Sequence, residues 1–81
     1  MKAAIRRLIA DHARLPVDAG TLSDSQDLYG AGMTSHSSVM LMLALENEFG
    51  VEFPDSMLSR DAFSSIDAIV SAVGALQREA V

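Results

Sequence analysis

Three stretches of this chain repeat apolar residues at helical spacing, and none alternates at the two-residue period of a strand. Ile5, Leu8 and Ile9 lie at i, i+3 and i+4, with His12 following at i+7 as a half-buried face residue. Leu41, Met42, Leu45 and Phe49 form a second stripe, and Ile66, Ile69, Val70, Val73 and Leu76 a third. In 81 residues there is room for one core, so the stripes must meet in a single all-α domain over 1–81.

Local signals set the boundaries. The first helix is expected over about 2–14, stopped by Pro16. The second should open at Thr34 or Ser35, with Thr34 as N-cap, and run to Phe49 with Gly50 just past its end. Pro54 leads into a short third helix at about 55–60. Ser64 and Asp67, at capping-box spacing, open the last helix, about 65–79. Between Pro16 and Thr34 lies a long connection rich in Gly, Asp and Ser. There Thr21 and Asp24 are expected to cap one short turn, and Leu28 and Tyr29 to anchor the loop. A connection of that length in so small a domain is more often functional than idle.

Composition removes several function classes. Eleven acids against six bases leave a net charge of −5. Binding a nucleic-acid backbone needs clustered Lys and Arg, so no nucleic-acid partner is expected. The longest apolar run, Val39 to Leu45, is far short of the roughly 20 residues that cross a bilayer, so no membrane partner is expected either. The basic N-terminus lacks the apolar stretch and cleavage site of a signal peptide, which makes the cytoplasm the expected location. Without cysteine there is no disulfide, thiolate metal site or thiol nucleophile. Nothing asks for an oligomer, and a monomer is expected.

The charge is uneven. Lys2, Arg6, Arg7 and Arg14 outweigh Asp11 in residues 1–14. Residues 15–59 then carry Asp18, Asp24, Asp27, Glu46, Glu48, Glu52 and Asp55 with no base at all. Such a segment is either solvated surface or a face for basic partner proteins, since complementary fields speed encounter and choose partners.

The second helix has two apolar sides. At 3.6 residues per turn, Leu41, Met42, Leu45 and Phe49 share an arc of about 100° that should face the core. His36, Met40, Leu43 and Asn47 fall on the other side. A small domain rarely buries both sides of one helix. Met40 and Leu43 should therefore be exposed as a docking stripe, to which the pliable Met side chain is suited.

As an enzyme the sequence offers nothing complete. Ser35 and His36 are adjacent, but adjacent helical residues point about 100° apart, so His36 should not act as base to Ser35. His12 and His36 lie on different helices without metal-ligand spacing, and no metal is expected. Gly30-Ala31-Gly32 lacks the lysine of a phosphate-binding Walker loop. A serine at a helix N-terminus does have one chemical use. The helix dipole and free N–H groups there favour a phosphate, so another enzyme could phosphorylate Ser35 or esterify it with a larger phosphodiester. Thr34 can take the capping role, which leaves Ser35 free for this.

Asp27-Leu28-Tyr29-Gly30-Ala31-Gly32-Met33-Thr34-Ser35 resembles the acyl carrier protein signature, an acidic-Leu pair followed by Gly-x-x-Ser at the head of helix two. The run from Leu41 to Asp55, with Glu48-Phe49 and Pro54-Asp55, is similar to that family's helix two and its entry to helix three. The resemblance covers nearly the whole chain and is densest over 27–55. It implies a four-helix bundle of three long helices and one short, with a long first loop. It also implies that Ser35 carries 4′-phosphopantetheine, attached from coenzyme A by a phosphopantetheinyl transferase. The arm's terminal thiol then holds an acyl or aminoacyl cargo as a thioester, so a cysteine-free chain borrows its sulfur. A loading ligase and a recipient transferase are the further partners implied.

Against the family pattern, Thr34 replaces a common Asp and His36 a common Leu, while Met40 and Asn47 replace commonly acidic positions. Thr34, His36, Met40, Leu43 and Asn47 are therefore the expected docking residues, with more apolar contact and less charge than in fatty-acid carriers. Phe53 and Leu58 stand where those carriers often have smaller groups around the cargo cavity; bulk there would fill it and argue against a long acyl chain. The stretch from Gly32 to Leu43, with Glu52-Phe53-Pro54-Asp55, is similar to stand-alone carriers of rhizobia and related bacteria. Some of these receive an amino acid from a ligase resembling a truncated aminoacyl-tRNA synthetase, so amino acid cargo is preferred over long fatty acyl. The rival reading is a non-covalent helical adaptor that docks a partner through the exposed face of helix two and leaves Ser35 structural.

Overall fold

The structure, a computed structural model, describes residues 1–13 and 15–79. Arg14, the expected last residue of the first helix and part of its basic charge, lies outside the described residues, as do positions 80 and 81. Three α-helices carry the fold: α1 (Lys2–Leu8), α2 (Ser35–Phe49) and α3 (Ile66–Glu79). Among the described residues there is no strand.

The first helix does not stay α-helical to its end. From Ile9 to Ala13 it continues as a π-helix, whose i→i+5 bonding makes a wider turn. The wider turn lags behind α rotation, so Ala13 swings onto the core face and is buried while His12 is left exposed. The expected half-buried His12 is thereby corrected. Ile5, Leu8 and Ile9 are buried as their spacing requires.

α2 opens and closes as expected, with Thr34 as N-cap and Gly50 left-handed at φ 64°, ψ 37°. The backbone N–H groups of Gly50 and Val51 both donate to Glu46 O, satisfying a carbonyl that the helix end would otherwise leave free. Beyond it, Glu46 Oε2 accepts from Phe53 N at 2.8 Å and pins the departing strand of chain to the helix. Where a short helix was expected at about 55–60 there is a single 3-10 turn, Asp55–Met57, and a second follows at Asp61–Phe63.

α3 is capped by Ser65, whose Oγ accepts from Ala68 N at 3.1 Å. Ser64 instead donates its hydroxyl to Asp61 O, so the expected Ser64–Asp67 box is replaced by a single cap bond one residue later. Ile66, Ile69 and Val73 are wholly buried against Ile5, Ile9, Leu28, Leu41 and Leu45, giving one contiguous core.

The first connection is tied down at several points. Its 3-10 turn, Ala19–Thr21, is capped by Asp18, which accepts from Gly20 N at 2.9 Å. Asp24, expected to share that cap, pairs instead with Lys2 at 2.8 Å and Arg6 at 2.6 Å. Arg6 also donates to the carbonyls of Ala19 and Leu22. Asp24 O accepts from Asp67 N, and Leu28 N donates to Ser64 O at 2.7 Å, so this segment is stitched to the start of α3.

Candidate functional site

The segment leading into α2 is a compact knot. Ala31 N donates to Asp27 O, Gly32 N to Tyr29 O and Met33 N to Leu28 O, all at 3.0–3.1 Å. Leu28 and Met33 are buried beneath it, and Tyr29 packs half-buried beside them, so this part of the loop is anchored. Gly32 adopts φ +117°, and a Cβ there would fall 2.6 Å from Pro16 Cδ. Both the backbone angle and the close approach need glycine.

At the helix start the work of capping is shared by Thr34 and Ser37. Thr34 Oγ1 accepts from Ser37 N at 3.1 Å, and Ser37 Oγ accepts from Thr34 N at 2.8 Å. This is a capping box with serine in place of the usual Glu or Gln, which is why sequence reading found Thr34 and missed Ser37. Ser35 is therefore not needed for the cap. Its side chain is exposed and its hydroxyl makes no hydrogen bond to a described residue, nor do the N–H groups of Ser35 and His36 find an acceptor. His36 offers Ser35 no hydrogen bond, in keeping with their angular separation.

The residues expected to form a docking stripe are exposed on α2 and at its N-cap. Met40 is 42% exposed and Leu43 49%, with Thr34, His36 and Asn47 exposed along the same helix. Val39, at 49%, belongs to this apolar surface too, although its position between the two arcs hid it in the sequence. Across from it stands Leu58, 47% exposed. The expectation that Phe53 and Leu58 jointly fill interior space holds for Phe53 alone. Phe53 is buried with its ring 5.2 Å from that of Phe63, whereas the 3-10 turn carries Leu58 outward.

Between α2 and the 3-10 segments runs a groove of about 310 Å³ that begins at Ser35. Ser38, Val39 and Met42 form its helix wall; Leu58, Ser59, Arg60 and Phe63 form the other, with Tyr29 at the edge. The Arg60 guanidinium lies over the Tyr29 ring, 4.3 Å from its centroid. The acidic stretch that surrounds this site is partly used inside the molecule. Asp24 is paired with Lys2 and Arg6, Glu48 with Arg7 at 3.0 Å, and Glu46 holds Phe53 N. Among the described residues no group of three His, Asp or Glu side chains converges on a metal-sized site, and no helix is long and apolar enough to cross a membrane.

One unengaged serine hydroxyl thus stands exposed at a helix head, beside a groove and an exposed apolar face. Residues 3–73 match the family model of the phosphopantetheine attachment site. The chain is 47% identical over 73 residues to an aminoacyl carrier protein of Agrobacterium fabrum, covering 90% of this chain and 88% of that one. It also matches, at TM-score 0.89 and 46% identity, a chain in the crystal structure of engineered Bradyrhizobium japonicum glycine:[carrier protein] ligase complexed with carrier protein from Agrobacterium tumefaciens and AMP. That match covers 91% of this chain and 99% of the other. A solution structure of an Agrobacterium tumefaciens protein matches over the full length of both chains at TM-score 0.78 and 43% identity. The chain belongs to the phosphopantetheine-binding carrier protein family, whose prosthetic group is covalently attached 4′-phosphopantetheine.

Proposed function

We propose that this protein holds an aminoacyl group as a thioester on 4′-phosphopantetheine attached to Ser35 Oγ, and delivers it to a partner enzyme. The observation that carries the reading is the state of Ser35: exposed, with an unengaged hydroxyl, next to two N–H groups without acceptors and a groove. The group supplies the thiol this chain lacks. The chain's own residues hold and present it. The Thr34–Ser37 box keeps the helix head in place, and the carboxyl-free start of α2 leaves its dipole to favour the phosphate. Among the described residues no side chain hydrogen-bonds the Ser35 hydroxyl, so its activation falls to a phosphopantetheinyl transferase using coenzyme A.

Thr34, His36, Met40, Leu43 and Asn47 form the docking face in this reading, extended by Val39. The partners are an amino acid-activating ligase and a recipient transferase, and the chain itself is not an enzyme. The whole 1–81 stretch works as one carrier unit and as a monomer, with Asp55–Phe63 standing where the family's short third helix completes a four-helix bundle. Because the cycle draws on ATP and coenzyme A, the cytoplasm is where we expect it to run. The exposed Val39, Met40 and Leu43 also favour the adaptor reading, in which the same face docks a partner and Ser35 stays unmodified.

The phosphopantetheinylated protein should gain the mass of an amino acid when incubated with an amino acid:carrier protein ligase, ATP and candidate amino acids. Met40→Glu and Leu43→Glu should slow that loading while changing stability by only about 0.5 kcal/mol, as exposed substitutions do. Loading by fatty-acyl or malonyl transferases alone would contradict the aminoacyl cargo. A collapsed thermal melt with unchanged loading per folded molecule would put Met40 and Leu43 in the core.

A further inference from the structure

We propose that Arg60, propped on the Tyr29 ring, binds the phosphodiester of the Ser35-borne arm. The inference rests on the attachment at Ser35 argued above. Residues 15–59 contain seven carboxylates and no base, and the next charged residue is Arg60. The fold brings this cation back to the groove that starts at Ser35. A monoanion attached there meets no carboxylate among the residues lining the groove, and Arg60 is the charged side chain among them.

The guanidinium is also held in a usable form. Its face is against Tyr29 at 4.3 Å, which leaves the N–H donors at its edge, and these make no ion pair or hydrogen bond with any described residue. Arginine pre-oriented by stacking loses less freedom on binding a phosphate than a loose lysine would. Val39, Met42 and Leu58 line the same groove, which makes their methyl groups reporters of an arm held at Arg60. Leu58 and Val39 are both exposed, so an arm lying between them would cover apolar surface that the bare protein leaves in water.

The test is NMR on the holo protein, after intact mass has shown one phosphopantetheine added. In the wild type, the arm's methyl protons should show nuclear Overhauser contacts to Val39, Met42 and Leu58. The Arg60 Nε–Hε resonance should shift between the apo and holo forms. Arg60→Ala should abolish the contacts and move the phosphorus-31 resonance to that of a free pantetheine phosphodiester, and Arg60→Lys should restore them in part. Arg60 is exposed, so its variants should fold. If the contacts and the phosphorus resonance are the same in Arg60→Ala as in wild type, the arm does not use Arg60. A protein that gains no phosphopantetheine mass overturns the carrier reading and this assignment together; one that gains it without the contacts overturns this assignment alone.

Discussion

In the proposed carrier role Ser35 is the modified residue and cannot also hold the helix in place, and Thr34 and Ser37 resolve that conflict by capping α2 between themselves. Gly32 sets the approach to this serine. Its φ of +117° and the Pro16 ring at its α-carbon leave no room for a side chain, so Gly32→Ala should destabilise the fold by more than about 1 kcal/mol. A urea melt reads this directly, and an unchanged midpoint would show that the loop relaxes around the methyl group. Residue types with local hydrogen-bonding habits were legible in the sequence: Thr34 as cap, Gly50 as terminator, Ser35 as the free hydroxyl. Ser37 was not, since box recognition looks for a longer acid or amide at that position. Arg60 was invisible for another reason. Its nearness to Ser35 exists only after the 24 intervening residues have folded back.

The helices themselves were read well where one stripe dominated, as in α3, and less well where the backbone left ideal geometry. The π turn at Ile9–Ala13 exchanged His12 for Ala13 on the core face, a substitution that a 3.6-residue period cannot anticipate. α1 is fastened to the first connection by charge. A hydrogen bond from Lys2, with Arg6 adding to it, holds the Asp24 carboxyl below its ordinary pKa of 3.8. The unfolded chain therefore takes up this proton at a higher pH than the folded one. Asp24 stabilises the fold fully above the ordinary carboxylate range, and the contribution fades as pH falls through its lowered folded value. Lys2 behaves in the opposite sense: Asp24 raises its pKa above 10.5, so its contribution is complete below that value and fades as pH climbs through the raised one. Both groups are exposed and the effect is screened by salt. Melting temperature against pH should thus fall less steeply on the acid side in Asp24→Asn than in wild type. Parallel acid limbs would show that the pair adds nothing to folding.

Across the molecule, the net charge of −5 means less for docking than its distribution does. The basic N-terminal segment folds back on Asp24 and Glu48, so part of the acidic stretch is neutralised internally. In the proposed docking face, what α2 then offers a partner is mainly apolar: Val39, Met40 and Leu43. The absence of cysteine looks at first like missing chemistry, but in a carrier it marks a thiol that arrives with the prosthetic group. The proposed function depends on where that group is attached. The most direct measurement is intact mass followed by peptide mapping after incubation with coenzyme A and a broad-specificity phosphopantetheinyl transferase. A gain of one phosphopantetheine, located on Ser35, is expected, with no gain in Ser35→Ala. Modification at Ser37 or Ser38, or an unchanged wild-type mass with several transferases, would contradict it.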